Sequence, residues 1–144
     1  AFYSYDPVND VWGFIQNAPF SSSIISSSGS KILKGSTNHG YCIIGKQLWR
    51  LNTTTNQWNQ LPDSPGSEDN DFAFTQGDDL FTGISSENNF WVYKASTNEW
   101  IQKASLMPFR YWPVYFTLEN KGYVGFGARL DDSRIINELH VYNP

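Results

Sequence analysis

The residues best suited to bind a ligand stand together in the segment "PFRYW", as Arg110, Tyr111 and Trp112. A guanidinium group forms paired, charge-assisted hydrogen bonds with a carboxylate, and neighbouring aromatic rings offer faces on which a flat ligand stacks. The segment therefore predicts an anchor for a carboxylate or a sugar. The alternative is structural, with Arg110 bridging neighbouring repeat units through their backbone carbonyls.

The polar loop "ARLDDSRIIN" contains three further candidates, Asp131, Asp132 and Arg134. Loops held on a rigid scaffold often carry binding residues, so these side chains predict a binding edge. The alternative is a solvated loop whose opposite charges pair with one another.

The histidines, the acidic run and the single cysteine do not predict a metal site or a catalytic group. His39 and His140 stand far apart with no third ligand nearby, so no metal site is predicted. The acidic run Ser67–Phe72 lacks the alternating ligands and the fixed glycine of a calcium loop. Cys42, the single cysteine, excludes an internal disulfide and is predicted to be a small buried hydrophobe. No catalytic set and no cofactor are predicted.

The distribution of charge and the length of the apolar runs limit the classes of partner that the sequence predicts. The 144 residues carry 10 basic and 14 acidic side chains, scattered along the chain, for a net charge of −4. A nucleic-acid surface needs a dense basic stripe, so no nucleic-acid partner is predicted. The apolar runs fall short of the roughly 20 residues that cross a bilayer, so no membrane span is predicted.

One phrase occurs three times, as "FYSYDPVNDVW", "LWRLNTTTNQW" and "FWVYKASTNEW". Alignment puts Tyr5, Leu51 and Tyr93 in register, with Trp12, Trp58 and Trp100 each seven residues later. A fourth phrase begins at "LHVYNP" with Tyr142. Each phrase is typical of two strands joined by a turn, and we expect the two aligned side chains to pack across it.

Two further strands are predicted between successive phrases. They are "SKILKG" with "GYCIIG", "DFAFTQ" with "DLFTGI", and "YWPVYFTLE" with "GYVGFGA". Gly83, Gly125 and Gly127 mark the ends of the second strands, where glycine allows close backbone approach. Four short strands at a period near 45 residues predict an all-β fold built from propeller blades.

In these residues the chain resembles a kelch-repeat β-propeller. The Tyr/Trp phrases carry the resemblance together with the stretch "MPFRYWPVYFTLENKGYVGFGARLDDSRIINELHVYNP", whose wording is similar to kelch repeats of bacterial secreted and cell-surface proteins. The resemblance implies that Arg110 faces the central channel or its mouth. It also implies an extracellular or cell-envelope location.

The chain is thus predicted to be one kelch-type propeller segment over residues 1–144, with a partial blade at 1–20, blades at 21–62 and 63–104, and a partial blade at 105–144. That amounts to about three blades, whereas closed propellers typically have four to eight. Three explanations stay open. The blades continue in a longer chain, a second copy completes a six-bladed ring, or the two ends of the arc cap it.

The function predicted from these features is a non-catalytic binding or scaffolding module that contacts a protein or a glycan through loops at one face. The alternative implied by the resemblance is a carbohydrate-active enzyme such as a sialic-acid epimerase, with Arg110 as the sugar-acid anchor. Kelch-type copper radical oxidases fit poorly, because they need a linked Tyr–Cys pair and Cys42 lies in a repeat strand.

Overall fold

The computed structural model describes residues 1–20, 30–35, 38–66, 71–84, 87, 89–105, 110–129 and 134–143. Every regular element within these ranges is a β-strand, and every pairing is antiparallel, so the prediction of an all-β fold is confirmed. The serine-rich residues 21–29 and the acidic residues 67–70 lie outside the described ranges.

Two four-stranded sheets form the middle of the molecule, each with its strands in chain order. Sheet I contains β3 (Lys31–Lys34), β4 (His39–Ile44), β5 (Gln47–Asn52) and β6 (Gln57–Leu61). Sheet II contains β7 (Phe72–Gln76), β8 (Asp79–Ile84), β9 (Asn89–Lys94) and β10 (Glu99–Lys103).

Smaller sheets lie at the two ends of the chain. The first hairpin consists of β1 (Phe2–Asp6) and β2 (Val11–Gln16). Sheet III contains β12 (Val114–Leu118), β13 (Lys121–Gly125) and β15 (Leu139–Tyr142). A two-residue ladder joins β11 (Arg110–Tyr111) to β14 (Ala128–Arg129) beside sheet III.

The repeated phrases form the hairpins that their sequence predicts. The aligned residues lie opposite each other, Tyr5 with Trp12, Leu51 with Trp58, and Tyr93 with Trp100. The two tyrosine–tryptophan ring pairs have centroids 5.0 and 5.6 Å apart. Each tyrosine hydroxyl also donates to a turn side chain 2.7 Å away, Asp10 in one hairpin and Asn98 in the other. Both turn residues have positive φ, which Asp and Asn tolerate well.

Sheet II is covered on both faces because neighbouring residues of a strand point to opposite sides. Leu80 and Tyr93 point toward sheet I and join Tyr41 in one buried cluster. Phe74 and Phe81 point the other way and join sheet III residues in a second cluster. The sheets are therefore stacked face to face, and their cores lie between them.

The innermost strand β7 of sheet II contacts the innermost strands of both neighbouring sheets, β3 and β12, along one edge of the stack. Thr75 Oγ1 donates to the Lys34 carbonyl at 2.5 Å, and Thr117 Oγ1 donates to the Thr75 carbonyl at 2.9 Å. Lys34, Thr75 and Thr117 hold equivalent positions in sheets I, II and III. Each pairs with a residue of the second strand, and that residue pairs in turn with the aligned residue of the third strand, which is Leu51, Tyr93 or Tyr142. The same hydrogen bond thus links successive sheets twice.

The inner strands of the last unit are shorter than predicted. "YWPVYFTLE" does not form one strand, because Trp112 has positive φ and Pro113 has no backbone N–H to donate. "GYVGFGA" is likewise broken where Phe126 and Gly127 have positive φ. Both strands bend at the same level, and the resulting loops carry the candidate site.

Candidate functional site

Tyr111 and Trp112 form an exposed aromatic pair at one end of sheet III. Trp112 is 82% exposed and Tyr111 is 43% exposed, and their ring centroids are 5.8 Å apart. Exposed aromatic rings that lie together form an apolar patch, which is more informative than a single exposed side chain. The prediction placed both residues in a binding segment, and the structure places both on the surface.

The backbone beneath this pair is held in a defined position. Gly127 has a φ of +87°, and a Cβ atom there would lie 2.3 Å from the Tyr111 carbonyl oxygen. Trp112 itself has a φ of +51°, which is uncommon for a bulky residue and persists only where surrounding contacts impose it. The loop of Tyr111–Trp112 therefore rests directly on the loop of Phe126–Gly127.

Arg110 lies below the loops rather than among the exposed residues. It is 3% exposed, and its Nη1 donates to the Phe126 carbonyl at 3.3 Å. Burial lowers the pKa of Arg110, and the nearby Glu138 carboxylate opposes that shift. Nη2 is buried and has no hydrogen-bond partner among the residues that the structure describes. Arg110 thus braces a backbone carbonyl of its own unit.

Arg134 is brought close to the same loops by the backbone. Its carbonyl accepts from the Arg129 N–H at 2.9 Å, and the Ile136 N–H donates to the Gly127 carbonyl at 2.8 Å. Asp131 and Asp132 lie outside the described residues, so the predicted acidic edge has no structural description.

Phe126 and Ile135 are neighbours of the site that the sequence prediction did not include. Phe126 is 42% exposed and Ile135 is 87% exposed. Both lie in segments bonded to the loop, since Ile135 bridges to Ala128. The sequence signal that could have indicated Phe126 is its place between Gly125 and Gly127. The alternation of an unbroken strand would instead have assigned Phe126 to one face of the sheet.

The other chemically interesting residues lie away from this site. Cys42 is buried, as predicted, and burial raises the pKa of its thiol to about 11. His39 begins β4, whereas His140 lies in β15 beside Glu138. Within the described ranges, no group of three or more His, Cys, Asp or Glu residues could hold a metal ion.

A cleft of about 560 Å³ opens where the inner strands end. Lys34, Thr75 and Thr117 line it, and both threonine hydroxyls already donate to carbonyls of neighbouring strands. The Gly77 N–H at its rim is likewise bonded to the Asn120 side chain at 2.7 Å. These three polar groups of the cleft are therefore engaged within the protein.

Comparisons with known proteins support the fold and leave the role open. No protein-family model matches the sequence, and no curated protein matches it. Among solved structures the chain is similar to YjhT, with a TM-score of 0.70 and 16% sequence identity over 98% of this chain. YjhT is a β-propeller-like protein.

The fold has a propeller-like neighbour. The chain spans about half of that neighbour, since the match covers 51% of the YjhT chain. At this level of identity the likeness concerns the fold alone. Antiparallel four-stranded sheets and this likeness agree with the predicted architecture, while closure, blade number and kelch type stay predictions. No helix in the described residues is long and apolar enough to cross a membrane.

Proposed function

We propose that the chain is a non-catalytic binding module of an extracellular or cell-envelope protein, and that it contacts a carbohydrate or a protein through the Tyr111–Trp112 loop. The observation that carries the proposal is the 82% exposure of Trp112 on a backbone fixed by Gly127. A rigid, exposed aromatic ring gives a large contact area at little entropic cost when a ligand binds.

Carbohydrate is the ligand class that this surface suits best. Sugar rings present flat C–H faces, which pack on the face of an indole or a phenol ring. The site offers two such rings and, beside them, the backbone segment of Arg134.

Repeat geometry supports the kelch part of the proposal. In units 21–62, 63–104 and 105–144 the aligned Leu51, Tyr93 and Tyr142 lie on the third strand of the sheet, whereas in unit 1–20 Tyr5 lies on the first strand of a two-stranded hairpin. The third-strand position is the arrangement that the resemblance to kelch blades implies. The wording shared with bacterial secreted repeats is what supports the location.

A screen on immobilised oligosaccharides tests the binding function. We expect the chain to bind one class of glycan, and we expect Trp112→Ala to reduce that binding at least about tenfold, as the loss of a central aromatic contact does. Val8→Ala is the matched control, because it removes an equally exposed apolar side chain from the distant turn of the first hairpin. Equal binding by wild type and Trp112→Ala would overturn the proposed site. Absence of any glycan binding would overturn the carbohydrate class and favour a protein ligand.

The alternative, an enzyme acting on a sugar acid such as a sialic-acid epimerase, is favoured by one observation. Nη2 of Arg110 is buried without a hydrogen-bond partner in the described part of the chain, and a ligand carboxylate would satisfy it. The test is conversion of free sialic acid between its forms, followed by NMR. Turnover that Arg110→Lys abolishes would establish the enzyme, and absence of turnover would leave the binding module as the function.

A further inference from the structure

Two bulky aromatic residues at the candidate site have a backbone conformation that such residues rarely adopt. Trp112 has a φ of +51° and Phe126 has a φ of +56°. The other non-glycine residues of the described ranges with positive φ all lie in turns between adjacent strands, and they are Asp10, Asn56, Asn98, Glu119 and Asn120. Backbone strain at bulky residues persists only where the surrounding structure imposes it, and it is concentrated at functional sites.

The contacts that impose this conformation begin at Phe126. Its N–H donates to the Glu138 carbonyl at 2.8 Å, and its carbonyl accepts from Arg110 Nη1 at 3.3 Å. The neighbouring Gly127 brings this loop against Trp112, since a Cβ atom on Gly127 would lie 3.3 Å from the Trp112 carbonyl carbon. The strained conformation of Trp112 is therefore maintained by a loop that is itself fixed on both sides.

The conformation of Trp112 brings two successive rings together on one side of the chain. In a regular strand, successive side chains point to opposite faces of the sheet. β11 ends at Tyr111, and the positive φ of Trp112 breaks the alternation there. The two ring centroids lie 5.8 Å apart as a result. The backbone strain thus produces the exposed pair.

The geometry of the pair suits two ligand units better than one. The planes of the two rings are inclined by 41°, so the rings do not form one flat surface. A single sugar ring that packs flat on one of them cannot pack flat on the other. Two successive sugar units can, because rotation about the bond between them inclines one unit to the next. The centroid separation of 5.8 Å is comparable with the length of one sugar unit.

A glycan that contacts both rings must present an apolar face at each unit. In β-1,4-linked glucose, the hydroxyl groups lie at the ring edges and both faces present C–H groups. Successive units are turned over relative to each other, so either face can pack on an aromatic ring. Links of the α-1,4 type curve the chain away from a shallow surface. Phe126 and Ile135, which are exposed in the segments bonded to this loop, are apolar as well.

We propose that Tyr111 and Trp112 each bind one of two successive units of a linear β-1,4-linked glycan. This inference rests on the proposed function of the loop as a carbohydrate-binding site, and it specifies the ligand. Trp112, which is 82% exposed, packs on one unit, and Tyr111, which is 43% exposed, packs on the next. The site therefore recognises its ligand by chain length and by linkage.

Titration with glucose, cellobiose and cellotetraose tests the dependence on chain length. We expect the 144-residue chain to bind cellobiose at least about tenfold more tightly than glucose, because a second aromatic contact is added. Cellotetraose should gain little more, since the pair offers two rings. Maltotetraose, with the same units in α-1,4 linkage, is the matched control and should bind at least about tenfold more weakly than cellotetraose. NMR titration of the tryptophan indole N–H signals follows all four sugars.

Single-ring variants test the assignment of one unit to each ring. Tyr111→Ala should bind cellobiose no more tightly than glucose, and its affinity for glucose should stay close to that of the wild type, because glucose packs on Trp112 alone. Damage to the loop would instead weaken both sugars alike. Tyr111→Phe is the matched control, because it keeps the ring and should bind both sugars as the wild type does. Equal affinity of the wild type for glucose and cellobiose, or unchanged cellobiose binding by Tyr111→Ala, would overturn the proposal.

The oligosaccharide screen separates failure of this inference from failure of the proposed function. If the screen finds another class of glycan whose binding Trp112→Ala reduces, and cellotetraose does not bind, the inference is overturned and the proposed function stands. If no glycan binds, or if Trp112→Ala binds as the wild type does, both are overturned.

Discussion

At the scale of single residues, Trp100 shows how the repeated phrase stabilises a sheet. Its ring packs on Tyr93 and on the cluster between sheets I and II, and its Nε1 donates to the Pro62 carbonyl at 2.9 Å. We expect Trp100→Ala to lower the free energy of unfolding by about 2–4 kcal/mol, slightly less than for a fully buried tryptophan. Urea denaturation measures this value.

Trp112→Ala is the comparison for that measurement. Trp112 is the most exposed tryptophan, so its removal should change the free energy of unfolding by less than about 1 kcal/mol. Equal losses in the two variants would mean that Trp100 is no better packed than a surface ring, and that the phrase contributes little to the core. A small loss for Trp112→Ala also confirms that this variant is folded for the glycan screen.

At the scale of the elements, Gly127 decides where the strands of the last unit bend. Ala at this position has to adopt a φ of +87°, and its Cβ would overlap the Tyr111 carbonyl oxygen at 2.3 Å. We expect Gly127→Ala to lower the free energy of unfolding by more than about 2 kcal/mol, because both left-handed strain and a backbone clash oppose it. Chemical denaturation followed by tryptophan fluorescence checks the value.

Gly77 supplies a control with the same backbone strain and no clash. Its φ is +59°, and a Cβ there would meet nothing within 4 Å. Gly77→Ala should therefore cost only the left-handed conformation, about 1–2 kcal/mol. If Gly127→Ala costs no more than Gly77→Ala, the close approach of the two loops contributes nothing and the Tyr111–Trp112 loop is not held by it.

At the scale of the whole molecule, Tyr41 joins sheet I to sheet II. Its hydroxyl donates to the Asp78 carbonyl at 2.7 Å, and burial raises the pKa of Tyr41 to about 12. The pKa of tyrosine in an unfolded chain is about 10. The folded state therefore favours the neutral phenol, and this stabilisation is complete below about pH 10 and lost as the pH rises through about 12.

We accordingly expect the free energy of unfolding to fall by about 2 kcal/mol between pH 10 and pH 12 on account of Tyr41. Tyr41→Phe is the control, because it removes the titrating group and keeps the ring. This variant should decline less steeply with pH, although burial also raises the pKa of Cys42 and of Tyr93 and their contribution remains. Identical slopes for wild type and variant would contradict the assignment.

The sequence alone determined the repeated units. The seven-residue offset between Tyr5 and Trp12, or between Tyr93 and Trp100, fixes a two-strand hairpin, because the turn and the ring contact are local. The short segments "GYCIIG", "DFAFTQ" and "DLFTGI" between the phrases likewise predicted β4, β7 and β8 within a residue or two. These features depend on neighbours in the chain, and a short segment contains all of them.

Only the tertiary structure decided where the candidate site lies and which faces remain open. The approach of Gly127 to Tyr111, the burial of Arg110 and the exposure of Phe116 each depend on residues distant in sequence. The sequence left Arg110 open between a ligand anchor and a structural role, and the fold adds that its Nη1 holds the Phe126 carbonyl. A periodic pattern specifies which side chains share a face of a sheet, but what covers that face depends on how the sheets stack.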